Sequence, residues 1–250
     1  MQANIDILIP VYNHAEHLAR CLESAVNQTM PARKIICVDD ASPDPQVKVI
    51  LNEFAVRCDY IHIINLPENK GICAAQNEGV RSASADFIAF LDCDDWLESD
   101  ALERVAISMA SERAGYFFTD RVDVNEVTGI QATRVYGGQP HLRQKRSHAE
   151  NLLDHMVASH FKVIRRDLIE EIGGFTEGTD GVQDWDVALK ISELAPLFHL
   201  SEPLYFHRVH DGQNSSYDSI VNIRKLIMFD VARNFVGSEG SVIKRAAAPA

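Results

Sequence analysis

The chain has no apolar run approaching the roughly 20 residues that span a bilayer, and its first residues lack the basic-then-apolar layout of a signal peptide. The expectation is a cytoplasmic protein, at most peripheral at the inner face of the plasma membrane. Basic charge is in short supply: 24 Lys and Arg stand against 36 Asp and Glu, a formal charge of -12. Such a field repels a nucleic-acid backbone, so nucleic acid is disfavoured as a partner. Cysteine is sparse and odd in number. Cys21, Cys37, Cys58, Cys73 and Cys93 are scattered through apolar segments with no C-x-x-C or zinc spacing, which reads as reduced core thiols. Two nucleotide-binding fingerprints are also missing. No G-x-G-x-x-G turn comes after the first apolar run, and no G-x-x-x-x-G-K-[ST] occurs anywhere, which disfavours Rossmann dehydrogenases and P-loop enzymes.

Present instead, from residue 5 to about 120, is an alternation of short apolar runs with segments of helical period. That is the pattern of a parallel sheet covered by crossover helices. Strands are expected at Ile5 to Pro10, Lys34 to Val38, Tyr60 to Asn65, Phe87 to Leu91 and Tyr116 to Thr119. Helical stripes run through Leu18, Leu22 and Val26, through Val47, Leu51 and Phe54, through Ile72, Ala75 and Gly79, and through Leu102, Val105 and Met109. From about 121 to 160 the period weakens, and the basic run Arg143-Gln144-Lys145-Arg146 lies in what reads as a long connection. It is either a solvated linker or a contact for an acceptor or an anionic membrane surface. Beyond it come a strand at Phe161 to Ile164, a helix from Asp167, a turn at Gly173-Gly174, a helix near Trp185 and a last amphipathic helix through Ile220 and Val231.

The most informative stretch is Leu91-Asp92-Cys93-Asp94-Asp95. An apolar strand in an α/β sheet delivers the residues at its C-terminal end to the rim where such sheets bind ligands. Adjacent carboxylates repel unless a cation sits among them, and oxygen ligands favour a hard divalent ion that also holds phosphates. A solvated turn closing the strand is the alternative. Asp39 likewise projects from the end of Ile35-Ile36-Cys37-Val38, and a carboxylate can only accept, which suits an N–H on a base edge. Asp40 with Ser42 reads as turn or cap chemistry.

Ile9-Pro10-Val11-Tyr12-Asn13, Val38-Asp39-Asp40-Ala41-Ser42, Asn69-Lys70-Gly71 with Asn77, Leu91 to Asp95, Gln183-Asp184-Trp185-Asp186 and Arg208-Val209-His210 occur in this order. Together they resemble glycosyltransferase family 2, and most closely its bacterial members that build surface polysaccharide. The resemblance covers about residues 5 to 215. It implies a GT-A fold, a mostly parallel α/β sheet flanked by helices, with residues 1–120 as the nucleotide-sugar half and 121–236 as the acceptor and catalytic-base half; residues 237–250, with small residues, Pro249 and no apolar period, read as a frayed tail. It implies inverting transfer from a nucleotide-diphosphate sugar, UDP- or dTDP-linked, to a saccharide or lipid-linked saccharide acceptor.

Residue by residue, the resemblance makes Asp39 the base-recognising carboxylate, with Pro10 and Tyr12 walling the base pocket. Asp94 and His210 ligate Mn2+ or Mg2+, with Asp92 sharing the ion or facing the ribose. A histidine ligand leans the choice toward manganese. Asp184 is the general base, and Gln183 stands where Glu is commoner, removing a neighbouring negative charge. Asp186 is the rival base. Lys70 and Arg208 are secondary contacts to the diphosphate, and Asp95 is expected to open a helix over Trp96. Three alternatives stand beside this reading. A haloacid-dehalogenase-like phosphohydrolase would use a D-x-D nucleophile, but after the first strand and not the fourth. The second is a non-catalytic nucleotide-sugar-binding subunit. A nucleotidyltransferase is disfavoured because no G-x-G-T-R-L-like loop comes after the first strand.

Overall fold

A computed structural model describes residues 4–136, 151–152 and 156–210. The basic run Arg143 to Arg146, the helix expected through Ile220 and Val231, and the tail from 237 lie outside the described residues. In chain order the elements are β1 (Ile5–Val11), α1 (Ala15–Val26), β2 (Ile35–Asp39), α2 (Pro45–Arg57), β3 (Ile61–Asn65), α3 (Ile72–Ser82), β4 (Phe87–Phe90), β5 (Trp96–Leu97) and α4 (Ala101–Ser111). Then come β6 (Tyr116–Asn125), β7 (Gln131–Arg134), β8 (Val163–Arg165), α5 (Arg166–Glu171), α6 (Gln183–Leu194) and β9 (Leu197–Val209). Among the described residues no helix is long and apolar enough to cross a membrane.

The strands form one sheet in the order β3-β2-β1-β4-β8-β6-β9-β5, with β7 paired to β6. The first four are parallel neighbours. Every residue of β1 and β2 is buried, as expected of strands covered on both faces. The period-two alternation sorts β1 between two cores. Ile5, Ile7 and Ile9 join the side-chain cluster that includes Leu18, Leu22, Val47 and Leu51 of α1 and α2, whereas Leu8 joins Val80, Leu168, Trp185 and Leu189 on the other face. Pro10 is accommodated because the β1–β4 ladder stops at Leu8↔Phe90, so no partner waits for the N–H that proline lacks. Helix α2 opens with Asp44 accepting from Gln46 N at 2.9 Å, followed by Pro45 in the first turn, where its missing N–H costs nothing.

The second half is mixed. Strand β8 runs antiparallel to both β4 and β6, so its start lies on the same rim as the end of β4. Strand β9 runs parallel to β6 over most of its length, with a register shift around Asp120, and it also pairs with β5. Three expectations need correction. The weakly periodic segment after 121 is not all connection, since β6 continues to Asn125 and β7 returns as a hairpin. The 13-residue β9 has no counterpart among the expected strands. Asp95 opens no helix, for Trp96–Leu97 is a strand and α4 begins at Ala101.

Gly79 sits where α3 crosses β1. A Cβ there would lie 2.6 Å from Leu8 Cγ, the branch point of a fully buried side chain. Overpacking of that kind costs about 1–3 kcal/mol, more than the ~1 kcal/mol that alanine gains in a helix. Gly79→Ala is therefore expected to lower the urea midpoint; an unchanged or raised midpoint would show that α3 does not press on β1.

Candidate active site

The rim at the C-terminal ends of β1, β2 and β4 gathers the predicted acids. Asp39 closes β2 and is fully buried. Its Oδ1 accepts from Ser42 N at 2.9 Å, while Oδ2 has no hydrogen-bond partner among the described residues. A buried acceptor left open is costly unless a ligand completes it. Ser42 Oγ in turn accepts from Asn13 N at 2.9 Å, tying the β2–α2 loop to the β1–α1 loop. Both loops bend through left-handed residues that are not glycine: Asn13, His14 and Ala41. Such backbone is held only where its surroundings enforce it. Pro10 is buried and Tyr12 is 41% exposed, so only Tyr12 offers an open ring face at this edge.

Asp40 does more than cap a local turn. Its two oxygens accept from Lys70 N at 2.8 Å and Gly71 N at 2.9 Å, clamping the start of α3 to the rim. Gly71 has φ 88°, and a Cβ there would meet Asp180 Oδ1 at 2.9 Å, so this turn needs glycine. Asp180 also accepts from Cys73 N at 3.2 Å. The N-terminus of α3 is thus already faced by a carboxylate, which works against an anion binding there. The Lys70 side chain is half exposed, 3.5 Å from Glu68.

The acidic loop after β4 is strapped down by β9. Tyr205 OH donates to Asp95 Oδ2 at 2.7 Å, and Arg208 N donates to Asp95 Oδ1 at 2.7 Å. Arg208 Nε donates to Asp94 O at 2.8 Å, and its guanidinium lies 5.0 Å from the Trp96 ring centre and 3.3 Å from Glu126. Arg208 therefore holds the loop whatever else it touches. Burial, reinforced by the charges of Asp94 and Asp92, pushes the Asp95 carboxyl well above the usual carboxylate range. His210 Nε2 lies 3.1 Å from Asp94 Oδ2.

Asp184 and Asp186 open α6, yet they go to different places. Asp186 Oδ2 accepts from Thr176 Oγ1 and from Lys190 Nζ, each at 2.7 Å, so the rival base is spent on its own helix and turn. Asp184 Oδ2 meets Lys162 Nζ at 2.8 Å, and its Oδ1 has no partner among the described residues. Lys162 is 4% exposed. Burial opposes its charge, but the Asp184 and Asp92 carboxylates outweigh burial and raise its pKa. Asp92 is pushed up by burial and by the Asp184 and Asp94 charges, with Lys162 pulling the other way. One ammonium therefore faces two carboxylates, Asp92 from the loop after β4 and Asp184 from α6. Lys162 is absent from the residues expected on sequence grounds, although a lone lysine within Phe161-Lys162-Val163-Ile164 is a signal that could have found it.

Asp92, Asp94 and Asp184 bring more negative charge together than Lys162 neutralises, and Asp94 stands beside the His210 imidazole. Carboxylate oxygens with one imidazole are a donor set chemically suited to a hard or borderline divalent ion; Asp94 and His210 are in contact, but Asp92 does not join them as a third ligand atom within reach among the described residues.

The family model described as glycosyl transferase family 2 matches residues 6–173. The chondroitin synthase of Escherichia coli is 30% identical over 242 residues, covering 94% of this chain and 33% of the relative. The O-antigen biosynthesis protein RfbC of Myxococcus xanthus is 31% identical over 216 residues, covering 85% of this chain and 16% of the relative. The chain thus spans a third or less of the length of these relatives. The crystal structure of S. aureus TarS 1-349 in complex with UDP-GlcNAc superposes with a TM-score of 0.75 at 18% identity, covering 96% of this chain and 68% of that one. At that identity the likeness is one of fold, and it bears out the α/β GT-A architecture.

Removing one partner of a buried pair strands the other and costs about 3–5 kcal/mol. Lys162→Met is expected to destabilise by that order in urea denaturation, and adding Asp184→Asn to it should restore a substantial part. A loss below about 1 kcal/mol for Lys162→Met would mean that the ammonium is not what holds the carboxylates together.

Proposed function

The chain belongs to glycosyl transferase family 2, and we propose that it is a metal-dependent, inverting transferase of a sugar from a UDP- or dTDP-sugar to an acceptor hydroxyl in polysaccharide assembly. The observation that carries the reading is the seat of Asp184: Lys162 grips one oxygen, the other has no partner among the described residues, and the Asp92 carboxylate acts on the same ammonium. Nothing in the fold or among the relatives favours the phosphohydrolase alternative.

In the proposed reaction, Asp39 Oδ2 accepts the N–H of the uracil or thymine edge, and Tyr12 packs against the base. Asp94, His210 and Asp92 would hold Mn2+ or Mg2+, which neutralises the diphosphate and the charge that grows on the leaving nucleotide. Asp184 Oδ1 accepts the proton of the acceptor hydroxyl as the acceptor oxygen bonds to the anomeric carbon. The anomeric carbon–oxygen bond to the diphosphate breaks, and the electron pair leaves with the nucleotide. Lys162 keeps the carboxylate oriented throughout. The names of the relatives, a chondroitin synthase and an O-antigen biosynthesis protein, support a polysaccharide acceptor.

Losing a positioned general base costs about 10²- to 10⁴-fold in rate. Asp184→Asn should lower kcat by that order while the Kd for the nucleotide sugar stays within about twofold; normal turnover with lost affinity would contradict the assignment. A ligand that binds only the native state raises its apparent stability. Across a panel of nucleotide sugars with Mn2+, UDP- or dTDP-sugars should therefore raise the Tm, and Asp39→Asn should abolish the rise. A rise with GDP-sugars alone would overturn the base assignment.

A further inference from the structure

Three imidazoles from two distant parts of the chain meet beside the acidic rim. His14 caps α1 in a left-handed conformation, His17 lies one turn later on the same face, and His210 comes directly after β9. Ring centres are 5.3 Å apart for His14 and His210, 5.1 Å for His17 and His210, and 6.0 Å for His14 and His17. One nitrogen from each lies within 4.8 Å of the other two. Two Zn–N bonds of about 2.0–2.1 Å at the tetrahedral angle place their nitrogens about 3.4 Å apart, so modest side-chain rotations close the set.

The surroundings match a histidine metal site as well. Carboxylates stand near the rings, as they do behind ligating histidines, although at His14 and His17 they lie beyond hydrogen-bond length. His17 Nδ1 lies 3.6 Å from Glu126 Oε1 and His17 Nε2 lies 3.6 Å from Glu16 Oε1; His14 Nδ1 is 3.8 Å from the same Glu16 oxygen. His210 has Asp94 at 3.1 Å. The other histidine cluster, Asp95 with His160 and His207, lacks these qualities. Both Asp95 oxygens are already taken by Tyr205 and Arg208, and His160 Nδ1 is already held by Arg121 Nη1 at 3.0 Å.

We propose that His14, His17 and His210 form a second metal site, selective for a zinc-type transition ion, which shares His210 with the oxygen-ligated site at Asp94. Three nitrogens favour Zn2+, Ni2+ or Co2+ over Mg2+ or Mn2+. Because His210 is common to both sites, zinc on its other ring nitrogen leaves Nε2 as the proton-bearing nitrogen facing Asp94, unable to ligate an ion there, and slows transfer. That inhibitory consequence rests on the transferase reading; the binding of the ion does not.

The test is a zinc titration of the metal-stripped 250-residue chain against a chromophoric chelator. Wild type, His14→Ala, His17→Asn and Asp92→Asn are compared, with Co2+ absorption as a second readout. One zinc per chain is expected. Affinity should fall in His14→Ala and His17→Asn by more than about 100-fold, the upper range for losing even a supporting partner, and stay unchanged in Asp92→Asn. Cobalt should give the strong visible bands of a low-coordinate nitrogen site in wild type and lose them in His14→Ala. Undiminished zinc affinity in His14→Ala, or its loss in Asp92→Asn alone, would place the ion elsewhere and overturn the proposal. If the more buried His17→Asn does not fold, His14→Ala carries the test, since that side chain is 24% exposed. In assays supported by Mn2+, His14→Ala should keep its activity and resist zinc, and equal inhibition of both proteins would overturn the shared role of His210. Zinc binding as described in a chain without transferase activity would sink the transferase reading and leave the metal site standing.

Discussion

The buried contact between Lys162 and Asp184 is the constraint around which the rest of the rim is arranged. A lysine taken almost wholly out of water is tolerated only if carboxylates come with it, and here they come from two elements. Asp184 rides on the first turn of α6, and Asp92 lies just past β4. Strand β8 makes the meeting possible. It enters the sheet antiparallel beside β4, so Lys162 at its start lies level with the end of β4, where Phe90 N donates to Lys162 O at 2.9 Å. Had the neighbour of β4 been another parallel strand, the residue at its start would lie at the opposite edge.

A second consequence is a division of labour among the acids. Asp95, Asp186 and Asp40 have both oxygens, or the one that matters, committed to Tyr205 and Arg208, to Thr176 and Lys190, and to the amides before α3. They hold backbone and loops in place. Asp39 and Asp184 each keep one buried oxygen without a partner among the described residues. An unpaired buried oxygen costs stability, and in the proposed mechanism these are the two atoms that receive a proton or an N–H from substrate.

Much of this was legible in the sequence, for physical reasons. The parallel strands β1 to β4 read as apolar runs because a covered sheet buries both of its faces, and the acids after β4 stand out because packing alone does not select them. Asp184 and Asp186 separate as helical geometry requires of residues two apart. Other features left little trace. Strand β9 is interrupted by Ser201-Glu202-Pro203 where its ladder to β6 shifts register, and His199, His207 and Arg208 break its alternation. Each of those three polar residues has a charged partner in the fold: His199 with Asp120, His207 with Asp123 and Arg208 with Glu126. Lys162 resembles an ordinary polar position in a strand because its partners, Asp184 and Asp92, are far from it in the chain. His14 and His17 are a commonplace pair until His210 arrives from the far end of the sheet.

In the proposed mechanism one carboxylate oxygen stays open at Asp184 while Asp186 and Asp95 are committed, which calls for one displacement and not two. The anomeric configuration of the freshly formed product, read by proton NMR before any equilibration, tests this most directly. A product of configuration opposite to that of the donor is predicted. Retention would mean that a rim carboxylate first bonds to the sugar, and the account built on Asp184 and Lys162 would be wrong.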